Sequence, residues 1–236
     1  MPCILWLIPV ALGETSWKSY LPAATREAAC RLTHFVAENA KTARAELKRI
    51  GHPVPLRDLA IEQLPATPTP ADVERLLTPL RAGHDIGLMS EAGCPAVADP
   101  GALLVRRAHE LGLIVKPLVG PSSLLLALMA SGLDGQRFAF HGYLPAREPQ
   151  RGARIAELEK ESARLQQTQI FIETPYRNHV LFAALLLNCR PKTRLCLATD
   201  LTLASEQIAT RHIADWKTAS PPDMDKRPTV FLLLAD

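Results

Sequence analysis

Apolar residues in this chain fall into short runs, and nearly every run ends in a turn of small residues followed by a longer stretch with helical periodicity. That alternation predicts a mostly parallel sheet whose strands are joined by crossover helices. Residues 4–10 form the first expected strand and residues 34–37 the second. The second feeds a helix that Asn39 caps and Gly51 ends, with Ala43, Leu47 and Ile50 on one apolar face. Residues 52–70 are rich in proline and read as a connection with one short strand near Ile61. Thr69 and Pro70 then take the cap and first-turn positions of another helix. A strand at 86–89, a helix from Asp99 and Pro100 to Gly112, a strand at 114–118 and a helix from Pro121 to near Gly132 follow.

From Phe138 onward the order changes. A helix at 150–166, a strand at 169–172 and a helix opened by Thr174 and Pro175 precede strands at 194–202, 207–213 and 229–234, with no long helix between these last strands. Consecutive strands without crossovers pair antiparallel. The expected fold class is therefore α/β in two domains. The N-terminal one, residues 1–116, holds a mostly parallel sheet with flanking helices, and the C-terminal one, residues 117–236, holds a mixed sheet with helices. A chain of 236 residues is long enough for both to bury real cores.

Composition narrows the class. Hydrophobic residues make up 47% and charged residues 22%, an ordinary globular balance that excludes disorder. The net charge of +3, from 27 basic and 24 acidic residues, is too slight for a dedicated nucleic-acid binder and leaves room only for a local basic patch. The five cysteines, Cys3, Cys30, Cys94, Cys189 and Cys196, are dispersed and include no C-x-x-C pair, which points to reduced thiols in a cytoplasm and to no metal site. The apolar run from Pro2 to Gly13 lacks a basic leader and contains Pro9, so it reads as a buried strand and not as a signal peptide. No stretch reaches the roughly 18 to 20 uninterrupted apolar residues that a membrane span requires.

Ligands of open parallel sheets bind outside the carboxyl ends of the strands. Unusual loops fall there: Pro9-Val10-Ala11-Leu12-Gly13, the long small-residue loop Ser90 to Gly101, Val119-Gly120-Pro121-Ser122-Ser123, and Glu173-Thr174-Pro175-Tyr176-Arg177. The second presents backbone polar groups to a small ligand, and the third leads into a helix whose free N–H groups suit a carboxylate. Asp99-Pro100 and Thr174-Pro175 are also competent helix starts with no functional duty. Cys94 reads as a small neighbour in a tight loop, having no nearby histidine to activate it, and His141 as a structural histidine.

The P-loop, the G-x-G-x-x-G turn, the G-x-S-x-G elbow and the H-E-x-x-H helix are all absent from the sequence, which removes the main support for an NTPase, an ordinary Rossmann oxidoreductase, an α/β-hydrolase or a zinc protease. Instead SEAGCPAVADPG resembles an S-D-A-G-T-P loop ending in D-P-G. PLVGPSS resembles a P-L-P-G-P block, FAFHGYLP an F-x-x-x-G-F-L-P strand, and FIETPYR an F-x-E-[ST]-x-x-R segment. In order and spacing these motifs resemble the tetrapyrrole methylase superfamily, and most closely its branch of ribosomal RNA small-subunit cytidine 2′-O-methyltransferase-like proteins. The porphyrin-modifying members carry a G-x-G-x-G-[DE] first loop where this chain has PVALGE. The RNA-modifying members carry A-E-D-T-R where it has Ala37-Glu38-Asn39-Ala40-Lys41.

The resemblance implies a two-domain methyltransferase, usually a homodimer, holding S-adenosylmethionine in the cleft between domains. The cofactor would lie along Pro9, Leu12, Gly13, Ser90, Glu91, Ala92, Gly93, Cys94, Ala98, Asp99, Gly120, Pro121, Ser122 and Ser123, with Tyr143, Leu144 and Pro145 facing it from the second domain. An RNA ribose hydroxyl is the first acceptor class. A small molecule such as a tetrapyrrole, or a non-catalytic module that keeps the cleft, remain alternatives. If a base removes the hydroxyl proton, Glu173, Glu91 and His141 are candidates by position, with Arg177 orienting Glu173; a plain helix-entry ion pair is the alternative. Arg147, Arg151 and Arg154 are the candidate phosphate contacts, or else a solvated helix start.

Overall fold

The computed structural model describes residues 3–236; Met1, and Pro2, which opens the first apolar run, lie outside them. The chain divides into two compact units, Met1–Ser122 and Ser123–Asp236.

The first unit runs β1 (Ile4–Ile8), α1 (Ala23–Cys30), β2 (His34–Ala37), α2 (Ala40–Arg49), β3 (Ala60–Gln63), α3 (Pro70–Leu76), α4 (Thr78–Arg81), β4 (Ile86–Met89), α5 (Ala102–Glu110) and β5 (Ile114–Pro117). Its strands lie in the order β3-β2-β4-β1-β5, and every pairing is parallel. Parallel neighbours need crossovers, and the helices supply them on both faces. One face buries Ile8, Phe35, Leu47, Ile50 and Met89, and the other Leu5, Val36, Leu76, Leu88 and Leu104. Strand β4 is buried at every position, as a central strand covered on both sides must be.

Local signals explain most boundaries. Asn39 caps α2 by accepting from Lys41 N and Thr42 N, and Gly51 takes a left-handed φ of 70° just past its end. Thr69 and Asp72 form a reciprocal capping box at α3. The expected first strand stops at Ile8, before Pro9, which has no N–H to give a ladder; Val10 instead forms an isolated bridge with Gly93. Helix α5 begins at Ala102, because Asp99 turns its carboxylate onto the loop in front of the helix. Helix α1 was not expected from the sequence.

The second unit runs α6 (Ser123–Ser131), β6 (Phe138–Tyr143), α7 (Gln150–Leu165), β7 (Thr168–Ile172), α8 (Asn178–Asn188), β8 (Arg194–Thr199), β9 (Gln207–His212), α9 (Ile213–Trp216) and β10 (Thr229–Leu234). Its sheet order is β6-β7-β10-β8-β9, parallel only between β6 and β7, and so mixed as expected. Helix α6 starts at Ser123, not Pro121, and β8 ends at Thr199, short of residue 202, because Asp200 and Thr202 take φ of 53° and 73°. The core gathers Phe171, Leu195, Leu197, Trp216 and Phe231, with Trp216 Nε1 donating to Leu195 O at 2.9 Å. No helix among the described residues is long and apolar enough to cross a membrane.

Candidate functional site

Because all strands of the first sheet are parallel, their carboxyl ends share one edge, and the loops after β1, β2, β4 and β5 meet there. Gly93 is the meeting point. Its N–H and C=O pair with Val10 at 3.2 and 2.9 Å, and a Cβ added to it would lie 3.3 Å from Leu12 Cδ2 and 3.6 Å from Pro121 O. Its φ of 74° further favours glycine. Ser90, buried, donates to Ala92 O and Gly93 O, both at 3.2 Å, and Cys94 Sγ donates to Pro121 O at 3.4 Å. Gly120 rests on Pro9, where an added Cβ would come within 2.3 Å of the ring. Thr25 Oγ1 on α1 donates to Val119 O at 2.8 Å and ties the last loop to the helix layer. Leu12 and Gly13 sit half-buried at the rim.

The edge is acidic. Glu38, at the end of β2, accepts from Glu91 N at 3.1 Å, and Asn39 Nδ2 donates to Glu91 Oε1 at 3.3 Å. Burial holds the Glu38 carboxyl above the usual carboxylate range; the Glu91 N–H opposes that shift, and the charges of Asp99 and Glu91 add to it. Asp99 accepts from Ala96 N at 2.8 Å and Gly101 N at 2.6 Å, and burial raises its carboxyl as well. Those two bonds hold a strained loop, since Ala96 and Ala98 have φ of 67° and 61°, a region that costs an alanine about 1–2 kcal/mol. Burial pushes the Cys94 thiol up, which suits a packing role and not a nucleophile.

The second sheet has its own loop edge, formed by the residues after β6, β7 and β8 and before β10. Tyr143 pairs in register with Ile172, so Tyr143, Leu144 and Pro145 lie beside Glu173; Leu144 is buried while Tyr143 is exposed. Glu173 Oε1 accepts from Thr174 N at 2.6 Å and from Arg177 Nε and Nη2 at 3.1 and 2.6 Å. Its side chain is 1% exposed, and Oε2 has no partner.

His141 lies within this sheet with both ring nitrogens engaged. Arg154 Nη2 lies 3.3 Å from Nδ1, so Nδ1 accepts and Nε2 donates to Gln169 Oε1 at 2.5 Å. That leaves no free nitrogen for a base. Arg151 is buried and paired with Glu148, and Arg154 is paired with Glu157, so of the three candidate phosphate contacts only Arg147 stands exposed without an ion pair among the described residues.

The sequence reading overlooked Glu38. It lay in a segment noted only for departing from the RNA-modifying pattern, and its partner Glu91 is 53 residues away.

No family model matches the chain. Two curated proteins, each named ribosomal RNA small subunit methyltransferase I, are similar to it. The one from Xylella fastidiosa is 35% identical over 161 residues, 68% of this chain and 58% of that protein. The one from Pseudomonas aeruginosa is 35% identical over 162 residues, 67% of this chain and 56% of that protein. The chain thus spans little more than half the length of these relatives. Among solved structures, the methyltransferase CobJ superposes with a TM-score of 0.65 over 100% of this chain and 95% of its own, at 16% identity. The chain thus has the fold of this methyltransferase and is similar in sequence to the two ribosomal RNA small subunit methyltransferase I proteins. Cobalt precorrin-4 methyltransferase CbiF, with a TM-score of 0.63 over 98% of this chain and 94% of its own at 12% identity, has the same fold. The expected fold class therefore holds in both units, one parallel sheet and one mixed sheet.

Proposed function

We propose that the chain is a member of the tetrapyrrole methylase superfamily that binds S-adenosylmethionine and transfers its methyl group to an RNA ribose hydroxyl. The observation that carries the reading is the interlocked acidic edge of the first sheet, in a chain 35% identical to proteins named as ribosomal RNA methyltransferases. The residues present fit the cofactor. A sulfonium and an ammonium are cationic, and Glu38, Glu91 and Asp99 face the same edge as the backbone groups of Gly93 and Gly120 to Ser122.

Bound S-adenosylmethionine would supply an activated methyl group for in-line displacement by the acceptor oxygen. The protein's task is then alignment and exclusion of water. We assign binding of the cofactor to Pro9, Leu12, Gly13, Ser90 to Cys94, Ala98, Asp99 and Gly120 to Ser123. Glu38 we assign to the hydroxyl proton, because a carboxyl raised above its usual range is better matched to that transfer, with Glu91, whose N–H donates to Glu38, beside it. Glu173 we keep as a candidate acid at the loop edge of the second sheet, oriented by Arg177. A cytoplasmic homodimer is the setting we infer for this activity, and light scattering of the purified protein tests the dimer.

The test of the function is calorimetric titration with S-adenosylmethionine and S-adenosylhomocysteine, followed by transfer of labelled methyl to small-subunit ribosomal RNA. Micromolar binding and label in the ribose are expected. Cofactor binding with label reaching only small molecules would overturn the RNA acceptor, and no binding of either compound would overturn the reading altogether.

A further inference from the structure

Helix α2 carries four basic residues, Lys41, Arg44, Lys48 and Arg49, and one acid, Glu46. Its net charge of +3 equals that of the whole chain. The acid is turned inward. Its side chain is 5% exposed, accepts from the Tyr20 hydroxyl and pairs with Arg49, while Ala43, Leu47 and Ile50 pack into the core beside it. Lys41, Arg44 and Lys48 are left on the exposed face, about one turn apart, and among the described residues none of them pairs with a carboxylate. Arg44 Nη1 donates to Ala40 O of its own helix at 3.3 Å. Acids on the elements packed against α2 are taken as well: Asp58, in the turn Leu56–Asp58, pairs with Arg57, and Glu62 on β3 pairs with Arg75.

This stripe does not serve the helix. Lys41 stands in the first turn, where a cation opposes the helix dipole, and no acid accompanies it there. Lys41 and Arg44 are three residues apart, and Arg44 and Lys48 four, the spacings at which like charges repel across a helix face. Such an arrangement works against the free protein and is relieved by an outside anion.

The fold limits what that anion is. With its apolar face buried in the core, α2 has nothing to insert into a lipid surface. The three charges advance along about 10 Å of helix axis, the length of two or three phosphates of one nucleic-acid strand. The stripe also begins beside the acidic edge, because Asn39, which caps α2, donates to Glu91 Oε1, and Glu38 accepts from Glu91 N.

We propose that the outer face of α2 is a track for the RNA backbone beside the acceptor ribose, with Lys41, Arg44 and Lys48 each meeting a phosphate. The inference rests on the RNA methyltransferase reading, and it locates the basic patch that a slight net charge leaves room for.

The test combines Lys41→Gln, Arg44→Gln and Lys48→Gln in one variant. The control, Lys160→Gln, Arg164→Gln and Lys217→Gln, removes three exposed charges from the second unit. Affinity for a fluorescent fragment of small-subunit ribosomal RNA is measured by anisotropy against salt. Loss of three phosphate contacts should lower the slope of log affinity against log salt by about 2, so the wild-type advantage should shrink roughly twentyfold between about 50 and about 200 mM salt. Each single substitution should take about a third of that change in slope. Binding of S-adenosylhomocysteine should stay as in wild type, and the thermal midpoint should hold or rise as the repulsion is relieved.

An unchanged slope in the combined variant, or in all three single variants if the combination does not fold, overturns the track. An equal drop in the control also overturns it, because net charge alone would then set the affinity. Polyglutamate binding that is lost in the variant while RNA binding stays would give the stripe to an acidic protein and overturn the RNA track. RNA bound and methylated with a slope the substitutions do not touch sinks the track alone, whereas a wild type that binds S-adenosylhomocysteine but no RNA at low salt sinks the RNA reading with it.

Discussion

Gly120→Ala probes whether the interlock of the first sheet's loops is what binds. The new Cβ would lie 2.3 Å from Pro9 Cβ and 2.7 Å from Pro9 Cγ. Pro9 follows β1 directly, and its ring cannot rotate away, so the loop after β5 must retreat by about 1 Å to reach ordinary carbon contact. Overpacking of this kind costs about 1–3 kcal/mol. Thermal unfolding should therefore drop by roughly 2–10 °C. The displaced loop carries Pro121 O, which meets Gly93 and Cys94, so S-adenosylhomocysteine affinity should fall by about tenfold, because a shift near 1 Å is enough to spoil a preorganised site.

Gly87→Ala separates stability from binding. Its Cβ would meet Ile8 Cδ1 at 2.6 Å and Phe35 Cδ1 at 2.8 Å, in the core behind the edge, so it should destabilise while leaving affinity within about twofold of wild type. Gly135→Ala, with nothing within 4 Å, is the neutral control. Wild-type affinity in G120A, or an equal loss of affinity in G87A, would refute the reasoning.

Glu38 holds its proton more tightly folded than unfolded, so its contribution to stability is lost as pH rises from the ordinary carboxylate range, about 4.3, through the raised folded value. Glu38→Gln should remove that decline, gaining on wild type in denaturant midpoint as pH rises above the ordinary carboxylate range while losing methyl transfer; a deficit that widens as pH rises would contradict the sign. Thr69→Ala breaks the capping box of α3 and should cost about 1 kcal/mol in urea unfolding, and an unchanged midpoint would show the cap to be idle. Arg147→Ala should lower the slope of log RNA affinity against log salt by about 1 if its guanidinium meets phosphate. Arg151→Ala, which loses Glu148 and Ala146 O, should lower stability and leave that slope alone.

Features set by neighbours in sequence were legible before the structure. The caps at Asn39 and Thr69 and the antiparallel run of β8 and β9 needed only local spacing. Helix α1 was not, because it buries Thr25, Ala28 and Ala29, small residues that leave no periodic apolar signal. The order β3-β2-β4-β1-β5 was equally hidden, and with it the convergence of loops on Gly93 from Val10, Leu12 and Pro121. Nothing about alanine announces φ of 67° at Ala96 or 61° at Ala98; the strain is held by Asp99, whose part looked from sequence like a helix cap. At the second edge the Glu173 and Arg177 spacing of four was readable as a pair, whereas the empty Oε2 emerges only once every donor around it has been placed.

The departure at Asn39 gains a physical account from the same geometry. Its Oδ1 accepts from Lys41 N at 2.9 Å, a cap an aspartate performs equally well. Its Nδ2 donates to Glu91 Oε1 at 3.3 Å, which an aspartate has no proton to do. An aspartate there would also place a further charge beside Glu38, Glu91 and Asp99, whose mutual repulsion already acts on Glu38. Asparagine thus keeps the helix start and steadies Glu91 without adding to the negative charge of the edge. The asparagine that departs from the A-E-D-T-R pattern of the RNA-modifying members thus leaves Glu38 and Glu91 held together at this edge.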